Sequence, residues 1–221
     1  MTAKKPTPYY QDDFATIYHG DCRDIIPHLG TFDLLLTDPP YGIGEANGKN
    51  KSRTKIAKAK DYGKANWDNE RIDIKLIHSI RSLCKSQIIF GGNYYDLPPT
   101  SCFFVWDKDN GQNDFADAEL AWTNLKQAVR LKKYRWNGML QENMKNKEFR
   151  EHPTQKPMPI MQWCINQAGD VVSILDPFMG SGTTLVAAKN LNRKAVGIEL
   201  EEKYCEIAAK RLSQGVFNFG T

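Results

Sequence analysis

Two stretches decide the fold: Phe32-Asp33-Leu34-Leu35-Leu36-Thr37-Asp38-Pro39-Pro40-Tyr41, and Val171-Val172-Ser173-Ile174-Leu175-Asp176-Pro177-Phe178-Met179-Gly180-Ser181-Gly182-Thr183-Thr184. Each is an apolar run of strand length that passes straight into a Pro- or Gly-rich turn. In an open α/β sheet, ligands bind just beyond the carboxyl ends of the strands, where the strand order reverses. Two such turns side by side would place one ligand on each.

Outward from these turns, strands alternate with helical patterns. Strands are expected over 15–19, 34–37, 87–90, 102–106, 118–122, 172–175 and 195–198. Helices are expected over 23–29, where Pro27 limits the length, and over 73–84, 157–167, 183–190 and 201–212. Ile74, Ile77, Ile80 and Cys84 show the helical spacing of a face packed on a sheet. The alternation predicts an α/β fold with a doubly wound, mostly parallel sheet. At 221 residues and 41% hydrophobic, the chain is read as one domain, 1–221. Residues 42–68 carry Gly, Lys, Asn and Ala without an apolar pattern. They read as a mobile basic loop, and a loop of that length in a compact domain is usually functional or disordered.

No apolar run approaches the roughly 18 residues of a membrane span. The opening Met1-Thr2-Ala3-Lys4-Lys5-Pro6 has no apolar stretch behind it, so no secretory signal is expected. Cys22, Cys84, Cys102, Cys164 and Cys205 are scattered, odd in number and without Cys-x-x-Cys spacing. Neither a metal site nor a disulfide framework is expected, and the thiols read as reduced in a cytoplasmic protein. The net charge of +4 hides two basic clusters. One holds Lys49, Lys51, Arg53, Lys55, Lys58, Lys60 and Lys64. The other runs through Arg130, Lys132, Lys133, Arg135, Lys145, Lys147 and Arg150, with Tyr134 and Trp136 among the charges. Two runs flanking two ligand turns point to a polyanion.

The turns ask for different ligands. Gly180-x-Gly182 between a strand and a helix suits close approach of a ligand to backbone. Asp176 stands at the end of its strand. Glu199 ends the next strand, about twenty residues on, where such folds hold a ribose through its hydroxyls. A phosphate loop of the Walker type does not fit, because Gly182 is followed by Thr183-Thr184 and no lysine. In Asp38-Pro39-Pro40-Tyr41 the prolines fix φ and remove donors, leaving the Asp38 carboxylate and the Pro39 carbonyl as neighbouring acceptors. That pair suits an amino group with two N–H donors, and Tyr41 offers a flat face to a planar ring.

These motifs resemble the amino-methylating DNA methyltransferases, specifically the circularly permuted β group. There Asp-Pro-Pro-Tyr comes first and Asp-Pro-Phe-x-Gly-Ser-Gly-Thr-Thr comes last, as here. His152-Pro153-Thr154-Gln155-Lys156-Pro157 and Gly20-Asp21-Cys22 resemble two accessory motifs of the same family. The resemblance covers about residues 15 to 212. It implies a Rossmann-like sheet of seven mostly parallel strands with one antiparallel strand, entered at the third strand. It implies S-adenosylmethionine as cofactor and the N6 amino group of adenine in DNA as target, since Asp-Pro-Pro-Tyr goes mostly with adenine. An N4-cytosine enzyme, or a catalytically silent nucleic-acid-binding subunit of the same fold, are the alternatives. An RNA substrate also stays open.

The resemblance assigns catalysis to Asp38, Pro39, Pro40 and Tyr41. It places the cofactor among Asp21, Cys22, Asp38, Thr154, Lys156, Asp176, Phe178, Gly180, Ser181, Gly182, Thr183 and Glu199. Asp21 goes to its adenine, Glu199 to its ribose, and Thr154 and Lys156 to its methionine end. No metal is implied. The lone pair of an adenine amino nitrogen is delocalised into the ring. Acceptors that localise it stabilise the transition state more than the ground state. A stacked base cannot reach such a pocket, so the target should be flipped from the duplex. Family members with longer target sites carry a sizeable recognition insert before His-Pro-Thr. Here only residues 123–151 are available, too few for a separate folded domain. Target choice and DNA contact are therefore expected from Lys132, Lys133, Tyr134, Arg135 and Trp136, with Lys49, Lys51, Arg53, Lys55, Lys58 and Lys60. Oligomeric state stays open, a homodimer included.

Overall fold

The apolar runs of the central strands split by parity, and that split builds the layers. Leu34, Leu36, Ile88 and Phe90 belong to one buried cluster, and Leu35 and Ile89 to another. Successive side chains of a strand point to opposite faces, so both faces of the sheet are covered. The computed structural model describes residues 5–42, 72–111, 116–137, 140–148, 151 and 155–214.

In chain order the elements are β1 (Tyr10–Gln11), β2 (Ala15–His19), α1 (Cys22–Ile25), β3 (Phe32–Thr37), α2 (Ile74–Ser82), β4 (Cys84–Phe90), β5 (Phe103–Asp107), β6 (Ala118–Thr123), β7 (Arg130–Lys133), β8 (Trp136–Asn137), β9 (Leu140–Gln141), α3 (Met158–Gln167), β10 (Ser173–Asp176), α4 (Thr183–Asn190), β11 (Lys194–Glu199) and α5 (Glu202–Ser213). Each expected strand and helix is present; 15–19 and 183–190 match to the residue, and the others have an end moved by a residue or more. Pro27 turns the first helix into a 3-10 turn over Ile26–His28. Asp73 caps α2 by accepting the Lys75 N–H at 2.9 Å.

The main sheet runs β1-β2-β11-β10-β3-β4-β6-β5-β7. From β2 to β4 all pairings are parallel, and β6 is antiparallel to both its neighbours. The seven strands β2 to β5 of that order form the expected sheet with its one reversed strand. The sheet itself is wider than expected: among the described residues it has nine strands. β1 adds an antiparallel edge of two residues, too short to show a pattern. β7 pairs parallel with β5, although Arg130-Leu131-Lys132-Lys133 reads as a charge run in sequence. β8 and β9 form a separate hairpin.

The permutation is visible in the register. The two carboxyl-terminal strands β10 and β11 insert between β2 and β3, pairing Leu175 with Leu35 and Gly197 with Ile17. Both motif strands are thus adjacent, and β2, β11, β10, β3 and β4 all end on one edge of the sheet. Residues of α3, α4 and α5 pack on one face, and those of α1 and α2 on the other. All five cysteines are buried free thiols. Among the described residues no helix is long and apolar enough to cross a membrane, and no group of His, Cys, Asp or Glu is placed to hold a metal ion.

Candidate active site

A single cavity of about 490 Å³ opens along the carboxyl edge of the sheet. Asp38 and Pro40 line it from the turn after β3. Asp176, Phe178, Gly180, Ser181 and Thr183 line it from the loop after β10. Glu199 does so from the end of β11, Asp21 and Cys22 from the turn after β2, and Lys156 from the segment before α3. Both motif turns therefore share one space, with all but a few of the expected residues around it. Thr154 lies outside the described residues.

On the Gly-rich side, the Glu199 carboxylate accepts the N–H of Gly180 at 3.0 Å and of Glu201 at 2.8 Å. Burial outweighs these amides and pushes its pKa up to about 7. Asp176 is buried more deeply. It accepts the hydroxyls of Thr37 at 2.8 Å and Thr184 at 2.5 Å, and burial raises it to about 6. It fastens the end of β3 to the start of α4 and so fixes the two turns relative to each other. Phe178 both lines the cavity and packs on the core. Asp21 caps α1, accepting the Arg23 N–H at 2.8 Å, and the Arg23 guanidinium holds its carboxyl below the usual range. It is a helix-start carboxylate and a cavity wall at once.

Gly182 corrects one expectation. A Cβ there would stand 2.6 Å from the Ala208 Cβ of α5, and φ is +77°. Its glycine answers to helix packing and a left-handed turn, and it is not among the residues that line the cavity. The half-buried Arg211 of α5 grips the same loop, donating to the Ser181 carbonyl at 2.6 Å and to the Thr183 hydroxyl at 3.1 Å. Ser181 donates to the Gln155 carboxamide at 3.2 Å, which joins the His-Pro-Thr-Gln-Lys-Pro segment to the Gly-rich loop.

On the Asp-Pro-Pro-Tyr side both oxygens of Asp38 are engaged. The Tyr41 hydroxyl donates to Oδ1 and the Lys156 ammonium to Oδ2. The Tyr41 ring stacks on Tyr94, with centroids 5.0 Å apart and planes at 19°. Gly91 makes this possible, since a Cβ there would fall 2.1 Å from the ring, at a φ of +62°. Tyr95 donates to the Pro40 carbonyl and steadies the turn. Lys156 is 7% exposed and also meets Glu119 of β6, its Nζ 3.2 Å from Oε2. Glu119 Oε1 in turn pairs with Lys108 at 2.6 Å. Burial would lower the Lys156 pKa, but the two carboxylates hold it above the lysine range. Burial, with Glu119 nearby, raises Asp38 against the pull of Lys156.

Sequence reasoning missed Glu119, Lys108, Tyr94, Tyr95 and Arg211. One signal was available for the tyrosines. The run 87–90 passes into Gly91-Gly92 and then Tyr94-Tyr95, a third strand that ends in a glycine turn.

The basic segment is corrected in part. Trp136 is 7% exposed and belongs to the core, so it cannot reach a base edge from this position. Tyr134 is half-buried against that core, and its carbonyl accepts the Trp106 indole N–H at 2.8 Å. Lys133 and Arg135 both pair with Asp109, whose φ of +50° turns it toward them. Lys132 is half-buried on β7. Lys49, Lys51, Arg53, Lys55, Lys58 and Lys60, and nearly all of the 42–68 loop, lie outside the described residues.

A permuted Rossmann-like sheet with an Asp-Pro-Pro-Tyr turn facing a Gly-rich cofactor turn defines a methyltransferase. A family model described as DNA methylase, for N6 and N4 methylation, matches residues 99–210. Type II methyltransferase M2.DpnII of Streptococcus pneumoniae is 46% identical, over 93% of this chain and 92% of its own length. Type II methyltransferase M2.LlaDCHI of Lactococcus lactis subsp. cremoris is 27% identical over 94% and 93%. The chain belongs to this DNA methylase family and is an enzyme that methylates DNA. Among solved structures, the M1.HpyAVI–SAM complex superposes with a TM-score of 0.57 at 26% identity, covering 90% of this chain and all of that one. The cytosine-N4-specific PvuII DNA methyltransferase superposes at 0.58 with 15% identity, a likeness of fold alone.

Proposed function

We propose that the enzyme transfers a methyl group from S-adenosylmethionine to the N6 amino group of an adenine flipped out of duplex DNA. The observation that carries this reading is the shared cavity, with Asp38 and Pro40 in one wall and Asp21, Gly180 and Glu199 in another. Its volume of about 490 Å³ is that of a small-ligand site. The donor set fits the cofactor: carboxylates at Asp21 and Glu199 for N–H and O–H groups, the Phe178 ring for a planar face, and backbone at Gly180 for close approach. S-adenosylmethionine is the methyl donor and supplies an electrophilic methyl on a positively charged sulfur.

The chain's own residues do the rest. The Asp38 carboxylate and the Pro39 carbonyl accept the two amino N–H bonds and localise the nitrogen lone pair. To receive the amino group, Asp38 Oδ1 exchanges the Tyr41 hydroxyl for the incoming N–H. The Asp176 hydrogen bonds to Thr37 and Thr184 keep the two turns in register, so that alignment of the reactants lowers the barrier. The choice of adenine rests on the Asp-Pro-Pro-Tyr motif. Target choice falls to residues 42–68 and 123–151, and the short recognition segment favours a short site. Such an enzyme works in the cytoplasm beside the DNA, as a monomer or a homodimer.

Methyl transfer to unmethylated DNA, followed by nucleoside mass spectrometry, tests the reading. N6-methyladenine is expected. N4-methylcytosine would reassign the base, and no methylated nucleoside would overturn the proposal.

A further inference from the structure

We propose that Lys156, clamped by Glu119, is a positioning residue that acts through Asp38 and is not a ligand of the cofactor's methionine end. The proposal rests on the methyltransferase reading above. The Lys156 ammonium is almost fully buried and is flanked by Asp38, by Glu119 3.2 Å away and by the Phe90 ring 5.2 Å away. The ammonium donates to Asp38 Oδ2, and Glu119 Oε2, which meets no hydrogen-bond donor among the described residues, is its ion-pair neighbour. Lys156 reaches Asp38 from 118 residues away in sequence and pins Oδ2, which leaves Oδ1 as the oxygen that can change partner.

Charge explains why a second carboxylate is present. Methyl transfer puts positive charge on the amino nitrogen before its extra proton leaves. A lone ammonium against Asp38 would oppose that charge. Glu119 offsets the Lys156 ammonium, and with Lys108 the four groups sum to zero, so the pocket keeps an ionised, oriented Asp38 without an uncancelled cation facing the developing charge. Lys108 holds the other Glu119 oxygen at 2.6 Å. Among the described residues, the other titratable groups near Asp38 are Tyr41 of the same turn, Tyr95 beyond β4 and Asp176 at the end of β10.

Two variants separate this role from a cofactor contact and from simple packing. Lys156→Gln removes the cation, so Asp38 protonates more readily. Glu119→Gln removes an anion, so Asp38 protonates less readily and the Lys156 charge is left uncancelled. In the full-length enzyme, both should lower kcat at saturating S-adenosylmethionine by roughly 10-fold or more. The acidic limb of the kcat–pH profile should move about one unit up in Lys156→Gln and down in Glu119→Gln. Calorimetric affinity for S-adenosylmethionine should stay within about 3-fold of wild type in both, and Lys156→Arg should restore the wild-type limb.

A cofactor affinity weakened tenfold or more in Lys156→Gln, with the limb in place, would make Lys156 a cofactor ligand and overturn the proposal. Lowered kcat with neither limb moved would make the pair structural and overturn it equally. If Lys156→Gln does not fold, the direction of the limb in Glu119→Gln decides alone. Absence of DNA methylation by the wild-type enzyme would instead overturn the underlying reading, and this proposal with it.

Discussion

Replacing Asp38 by alanine should damage stability as well as catalysis, because it strands a buried cation. Lys156 is 7% exposed, and its ammonium is held between Asp38 and Glu119. Removing one partner of a buried pair costs about 3–5 kcal/mol, and the surviving Glu119 contact argues for the lower end, about 3 kcal/mol. For a domain of this size, each kcal/mol moves Tm by about 2–4 °C, so Asp38→Ala should melt about 6–12 °C below wild type. The added substitution Lys156→Met removes the stranded charge and keeps an unbranched apolar chain in its place. The double variant should therefore regain most of the lost Tm and still transfer no methyl group. Thermal unfolding followed by circular dichroism, without ligand, beside a radiolabelled methyl-transfer assay, reads both quantities. An Asp38→Ala variant that melts with wild type, or a double variant less stable than the single one, would refute the argument that Asp38 holds a buried lysine.

Other outcomes follow from the same geometry. Glu199 titrates near 7 because burial disfavours its charge, so its contribution to fold stability declines as pH rises from the ordinary carboxylate range through 7. In the proposed reading its ionised form accepts the ribose hydroxyls, so S-adenosylmethionine affinity by calorimetry should rise between pH 6 and 8 in wild type and stay flat in Glu199→Gln. Gly182→Ala should lower unfolding free energy in urea by about 1–3 kcal/mol, through its left-handed φ and the clash with Ala208; an unchanged midpoint would contradict the packing assignment. Replacing Lys55, Lys58 and Lys60 together should weaken DNA binding of all sequences alike and flatten its salt dependence by roughly 0.9 log units per lost phosphate contact. A changed target profile would show that these lysines read bases.

The fold was legible because its signals are local. The runs 34–37 and 172–175 announce strands, and the turns after them announce ligands. Their order along the chain implies the permutation that pairs Leu175 with Leu35. The ion cluster was not legible, because nothing local marks it. In Ala118-Glu119-Leu120-Ala121-Trp122 the glutamate reads as the solvent side of an alternating strand. Its inward role depends on β6 running antiparallel beside β4 and β5, which brings Glu119 to the edge where Asp38 sits. Lys156 was found by resemblance and Asp38 from its motif, but their pairing and the second carboxylate, Glu119, were not. Ion pairing across an edge of a sheet is a property of strand order, and a single sequence shows strand order only where a motif reveals it.

The segment 123–151 shows the opposite failure, where local composition suggested more than the fold allows. The seven cations from Arg130 to Arg150, with an interleaved Tyr-Arg-Trp run, read as a nucleic-acid surface. Yet β7 spends this stretch completing the sheet beside β5, and the chain then turns Trp136 inward to the core. Asp109 comes from 26 residues earlier to engage Arg135, and it takes Lys133 as well. A carboxylate that pairs two cations leaves at most a fraction of their charge for phosphate. The same pairs fix the start of the β8–β9 hairpin against the turn after β5. Here part of the basic run acts as scaffold, and the outward-facing cations of the segment among the described residues are Lys126, Arg130, Lys133, Arg135, Lys145 and Lys147, of which Lys133 and Arg135 are paired to Asp109. Charge density in a sequence counts cations; only the fold shows how many of them are already paired.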